Sequence, residues 1–119
     1  MNMAESRASV STRGPVLIVG TGLLGTSLAL ALRAAGVDVQ LSDTSPTSLA
    51  LARDMGAGTL CGKDSPEPQV VVVATPPDVT ANVVIAQLTA HPNAVVTDVA
   101  SVKERVVAEV HARAGAEAR

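Results

Sequence analysis

Four apolar residues, Val16-Leu17-Ile18-Val19, run without interruption into Gly20-Thr21-Gly22-Leu23-Leu24-Gly25-Thr26-Ser27, and the chain stays uncharged as far as Leu32. A short unbroken run rich in β-branched residues is the pattern of a parallel strand covered on both faces. Such a strand needs helices on either side of its sheet, so this stretch constrains the chain to a layered α/β arrangement. The glycines that follow are spaced G-x-G-x-x-G. The first permits a tight turn, the second lets a phosphate group approach the backbone, and the third lets helix pack closely on strand. Free amides at the helix start, with the positive end of the helix dipole behind them, would hold the phosphates. Three glycines near a helix start also occur as plain turn chemistry, so the rest of the chain decides between the two.

The chain has 119 residues, 47% of them hydrophobic, which suits one domain with a core and is too short for two. A net charge of -2 and the absence of Phe, Tyr and Trp leave neither a basic footprint nor a stacking platform, which argues against nucleic acid as a partner. Cys61 is the only cysteine and there is no Cys/His cluster, so neither a disulfide framework nor a metal site is expected, and the reducing cytoplasm is the natural compartment. The uncharged stretch Pro15 to Leu32 follows Arg7 and Arg13 and superficially matches a signal peptide or anchor. Its three glycines, its polar Thr21, Thr26 and Ser27, and the charge at Arg33 suit a strand-turn-helix instead, so no membrane association is expected.

Residues 1–13 are small, polar and without an apolar period, and read as a disordered lead-in to a domain spanning residues 14–119. After strand one, a helix is expected from Leu23 to Ala35, ended by Gly36. Val37 to Ser42 reads as an alternating strand closing on Asp43, and Ser45-Pro46 as the cap and first residue of a helix running to Met55. Thr59 to Cys61 reads as a short third strand, followed by a polar loop from Gly62 to Pro68. Gln69 to Thr75, containing four consecutive valines, is the strongest buried-strand signal and stops at Thr75-Pro76-Pro77. A helix from Asp78 should bury Val79, Val83, Val84 and Leu88. Ala94 to Val99 makes strand five, and Ser101 with Glu104 reads as a capping box opening a last helix with Val102, Val106, Val107 and Val110 on its buried stripe. Alternating strands and helices at this spacing predict a doubly wound, Rossmann-like parallel sheet of order 3-2-1-4-5, with an open edge at strand five that favours self-association. The ligand crevice of such a sheet lies outside the carboxyl ends of strands one and four, where the glycine turn, Asp43, Thr75 and Ser101 all fall.

Asp43 lies 18 residues past Gly25, at the end of strand two, where a carboxylate can accept hydrogen bonds from the hydroxyls of an adenosine ribose. A 2′-phosphate about 4 Å from it would be repelled by several kcal/mol at an effective dielectric near 20, and no Arg or Lys directly follows to compensate, so NAD is expected rather than NADP. Its plainer reading is the start of a turn before Ser45-Pro46. Thr75-Pro76-Pro77 stops a strand and starts a helix, and by position would also line the path from adenosine to the nicotinamide ribose. His91 and His111 read as structural or solvent-facing, and Cys61 as unactivated, so nothing in the expected crevice transfers a proton.

With Asp98-Val99-Ala100-Ser101-Val102-Lys103 added to these motifs, the chain from about Pro15 onward resembles the nucleotide-binding half of prephenate dehydrogenases and their arogenate-using relatives, enzymes of tyrosine biosynthesis. The resemblance implies that Gly20, Gly22, Leu23, Leu24, Gly25, Asp43, Thr75, Pro76 and Ser101 bind the cofactor NAD. It also implies that Ser101 lies near the nicotinamide and the substrate hydroxyl. The family usually has glycine where this chain has Ala100. Its reaction is oxidative decarboxylation: hydride passes from the hydroxyl-bearing ring carbon to NAD, carbon dioxide leaves, and the ring becomes aromatic. The family's general-base histidine and its arginines lie beyond the last helix, the latter in a helical domain through which the parent would be a homodimer. The resemblance therefore implies a fragment that binds NAD without turning over prephenate. A 3-hydroxyisobutyrate-type dehydrogenase and a non-catalytic NAD-sensing module are the alternatives.

Overall fold

The structure is a computed structural model and describes residues 14–101, 108 and 111–112. The lead-in at residues 1–13, Glu104, and the valine stripe of the last helix lie outside the described residues. The elements are β1 (Val16–Val19), α1 (Leu23–Ala34), β2 (Val39–Ser42), α2 (Pro46–Asp54), β3 (Thr59–Leu60), β4 (Val70–Val73), α3 (Pro77–Ala90) and β5 (Val95–Asp98). All five strands are parallel in the order β3-β2-β1-β4-β5, as the sequence predicts.

Both faces of the central strands are buried, which is why β1 and β4 carry no polar alternation. On one face Val16, Ile18, Val39, Leu41 and Val72 pack with Ala29 of α1 and Ala52 of α2. On the other, Leu17, Val19, Val71 and Val73 pack with Val83 and Val84 of α3. In register, Val19 stands beside Ser42 and Val73, and Val73 beside Asp98, so four strands finish level at one end of the sheet. Ser45 caps α2 by accepting from the Ser48 amide at 3.3 Å, with Pro46 following as the sequence suggests.

Two expectations are corrected. β2 begins at Val39 rather than Val37 and is not alternating: Gln40 is 4% exposed, because its Nε2 donates to the Pro66 carbonyl at 2.7 Å. The loop between β3 and β4 thus lies over the sheet where a crossover helix would ordinarily go. That loop is closed on itself by Ser65, whose Oγ accepts from the Gly62 amide at 2.9 Å, and is tied to the end of α3 by Glu67 and His91 at 2.9 Å. In α3, Val83 and Val84 face the sheet, but Val79 and Leu88 are exposed. They sit roughly a quarter-turn to either side of the Val83–Val84 line, beyond the sheet contact. Among the described residues β5 pairs only with β4, and its first residue, Val95, is 65% exposed.

Candidate functional site

The glycine turn is built by packing at two of its three glycines. Gly20 leaves β1 with φ +105, a conformation side chains rarely adopt, and a Cβ there would stand 2.5 Å from the Ala74 carbonyl oxygen. Its amide donates to the Ser42 carbonyl at 2.8 Å while Ala74 donates to the Val19 carbonyl at 2.7 Å, so the turn is sewn to β2 on one side and to the end of β4 on the other. Gly25 has an ordinary helical backbone, but a Cβ on it would overlap the Gly20 carbonyl oxygen and press on the Ala74 methyl at 3.1 Å.

Gly22 differs. Its φ of -71 suits any residue, and a Cβ on it would meet nothing within 4 Å. It stands at the N-cap of α1, where no side chain caps the helix and no acidic residue occupies the first turn. Leu23, next to it, is 89% exposed. The fold therefore leaves an uncapped helix start facing open space, the electrostatic setting of an anion site.

Asp43 follows β2 and reaches back to this turn. Its Oδ2 accepts from the Thr21 amide at 2.6 Å and from the Thr21 hydroxyl at 2.7 Å, and its Oδ1 accepts from the Ser45 amide at 2.8 Å. Thr21 is 4% exposed, and its carbonyl accepts from the Thr26 hydroxyl at 3.0 Å. Burial alone would raise the Asp43 pKa. The amides of Ser45 and Thr21, the Thr21 hydroxyl and the Thr44 amide outweigh it and hold the carboxyl below its ordinary 3.8. A carboxyl with a folded-state pKa below its unfolded value contributes stability above the unfolded value and loses it as pH falls through the folded one. Asp43→Asn should therefore melt below the parent at pH 7, and the gap should close as the pH drops below about 4. A gap that stays constant from pH 7 to pH 3 in thermal melts would contradict the ionised role of Asp43.

At the end of β4, Thr75 and Pro76 carry a network that sequence reasoning missed. Thr80, one turn into α3, donates to the Thr75 carbonyl at 3.2 Å or the Pro76 carbonyl at 3.0 Å, and its hydroxyl lies 3.1 Å from that of Thr75. A hydroxyl four and five residues after the Pro76 and Thr75 carbonyls, at the start of a helix, is the signal that could have found it. Ser101 requires a correction. Residues 99–101 are already helical, and the Ser101 amide donates to Asp98 Oδ1 at 2.7 Å, so Asp98 is the cap and Ser101 stands inside the first turn. Ser101 is exposed at the same sheet end as the glycine turn.

The other candidates lie elsewhere. His91 closes α3 beside the amino-terminal ends of β4 and β5 and pairs with Glu67, and His111 is exposed on the last helix. The Cys61 thiol is pushed up by partial burial and by the Glu67 carboxylate, against a hydrogen bond from Ser65, which keeps it protonated. By contrast, a cavity of about 230 Å³ between α1 and α2 adjoins the glycine turn: Thr21, Gly22, Ser27, Ser48, Leu51 and Met55 are among its lining residues, none of them charged. Among the described residues no group of three or more His, Cys, Asp or Glu could hold a metal ion, and no helix is long and apolar enough to cross a membrane.

Comparison with known proteins bears on what this end of the sheet serves. The family described as prephenate dehydrogenase, nucleotide-binding domain, matches residues 28–118, beginning just past the glycine turn. The probable prephenate dehydrogenase NovF of Streptomyces niveus is 44% identical over 88 residues, covering 73% of this chain and 24% of that protein. The chain thus spans about a quarter of the length of that relative. Among solved structures, shikimate 5-dehydrogenase of Thermus thermophilus, in complex with NADP(H) and shikimate, is 25% identical with a TM-score of 0.48, covering 60% of this chain and 29% of that one.

Proposed function

The chain belongs to the prephenate dehydrogenase family, whose nucleotide-binding domain it carries, and from that premise we propose that it binds NAD across the carboxyl ends of β1, β2 and β4, for the oxidative decarboxylation of prephenate or arogenate. The observation that carries this reading is Gly22. The fold demands glycine at positions 20 and 25 but not at 22, and a ligand backed against the α1 amides accounts for the third.

The chain's residues then divide the work. The amides from Gly22 to Gly25 hold the pyrophosphate, and Asp43 holds the adenosine ribose and repels a 2′-phosphate. Thr75 and Pro76, fixed by Thr80, line the path towards the nicotinamide. Ser101, in the first turn of a helix capped by Asp98, stands near the nicotinamide and the substrate hydroxyl. NAD, when bound, supplies the hydride acceptor. In this reading His91, committed to Glu67 at the other end, is not the base that takes the proton. The same reading makes the working protein a cytoplasmic homodimer joined outside this domain.

A thermal melt with NAD and with NADP tests the proposal. At a hundredfold excess over the dissociation constant NAD should stabilise the chain by about 2.7 kcal/mol, a rise of several degrees, and NADP by less. The 119-residue chain should produce no NADH from prephenate. A larger shift with NADP, or no shift with NAD, would end the cofactor assignment; prephenate-dependent NADH would show that the domain is self-sufficient.

A further inference from the structure

Asp43 is crowded for a residue expected to receive a ribose. A carboxylate offers about four acceptor positions, and in this chain the Thr21 amide, the Thr21 hydroxyl and the Ser45 amide take three at 2.6, 2.7 and 2.8 Å, with the Thr44 amide also turned to the carboxylate. All of these donors but one are backbone amides, fixed by the turn and by the start of α2. The exception is the rotatable Thr21 hydroxyl. It shares Oδ2 with the Thr21 amide, so that oxygen has both lone pairs engaged. A ribose diol that takes one bond on each carboxylate oxygen finds Oδ2 full.

We propose that the Thr21 hydroxyl is a place-holder for a nucleotide ribose hydroxyl on Asp43: it completes the carboxylate in the free protein and yields its acceptor when the ribose arrives. This rests on the NAD reading above and adds to it a residue that sets affinity without itself binding phosphate. The exchange forms one O–H···O at Oδ2 as another breaks, and leaves the hydroxyl of Thr21, a residue 4% exposed, without that acceptor. The net contribution of that ribose contact to binding is therefore small while Thr21 is present, and the ribose competes against a group already held at an effective concentration no free ligand reaches. Thr21 supports the free protein instead. Its hydroxyl satisfies a carboxylate that would otherwise lose one of its donors, and joins β1 to β2 across the turn.

Thr21→Val keeps the shape and the backbone amide while removing the hydroxyl, and Thr21→Ser keeps the hydroxyl. Calorimetric titration of the parent and both variants with NAD and with 2′-deoxyadenosine-containing NAD gives two readouts, affinity and the ratio between the two ligands. Thr21→Val should bind NAD about three- to tenfold more tightly than the parent, the worth of one hydrogen bond no longer surrendered, and its preference for NAD over the deoxy ligand should widen by a similar factor. Thr21→Ser should keep the parent's ratio. The melting temperature of ligand-free Thr21→Val should fall. Weaker NAD binding by a folded Thr21→Val, or an unchanged ratio, would make Thr21 a fixed positioning residue and overturn the exchange. If Thr21→Val does not fold, a Thr21→Ser ratio wider than the parent's overturns it instead and a matching ratio upholds it. A parent that binds neither ligand would overturn the NAD reading, and the exchange with it.

Discussion

Gly25→Ala should cost about 3 kcal/mol or more of stability, an effect as large as removing a core side chain, although it adds a single methyl group. The methyl would enter the space held by the Gly20 carbonyl oxygen, with the Ala74 methyl 3.1 Å away on the other side. Neither is the far end of a flexible side chain. Relief requires α1 to move off β1, which opens the packing of Ala29 against Val16 and Ile18. A domain of this size has about 5–15 kcal/mol in all, so the loss should appear as a much lower denaturant midpoint with an unchanged slope. A midpoint within experimental error of the parent would mean that the α1–β1 approach is looser than the structure shows.

Gly22→Val should do the reverse, sparing the fold and removing the ligand. Its backbone already lies where valine is comfortable, and a Cβ there meets nothing within 4 Å. The stability cost should be no more than about 1 kcal/mol, the difference between glycine and an apolar residue at an N-cap. The side chain would project into the space in front of the α1 amides, and NAD affinity should fall about a hundredfold or more, some 2.7 kcal/mol. Titration calorimetry beside a thermal melt separates the two quantities. Undiminished NAD binding by a well-folded Gly22→Val would remove the main support for the proposed site.

This contrast between two glycines of one motif shows what can be read from a sequence and what cannot. The spacing of Gly20, Gly22 and Gly25 announces a turn, but which glycine serves the fold and which faces outward depends on Ala74, fifty residues away in the chain. The strand order was legible because unbroken valine-rich runs admit only central positions. Gln40 departs from the expected alternation because a polar position in a strand says nothing of whether a loop returns to cover it. Serine three residues before a glutamate fits the cap pattern, yet Asp98, also a good cap, comes first in the chain and closes the turn ahead of Ser101. The bond between Thr21 and Asp43 arises only from register: with Val19 level with Ser42, the two residues leave their strands side by side.

The same register has a kinetic side. β1 and β2 pair from Val16 to Val39, and β4 and β5 from Val70 to Val95, each through a short local crossover, whereas β1 meets β4 across Val16 and Val70. Each local half can close without waiting for the other, and the β1–β4 seam must close a longer loop before its contacts repay the lost entropy. Gly20 lies against Ala74 on that seam. The glycine turn therefore acquires its shape only when the halves join, and nucleotide binding during refolding should report that joining rather than the formation of either half.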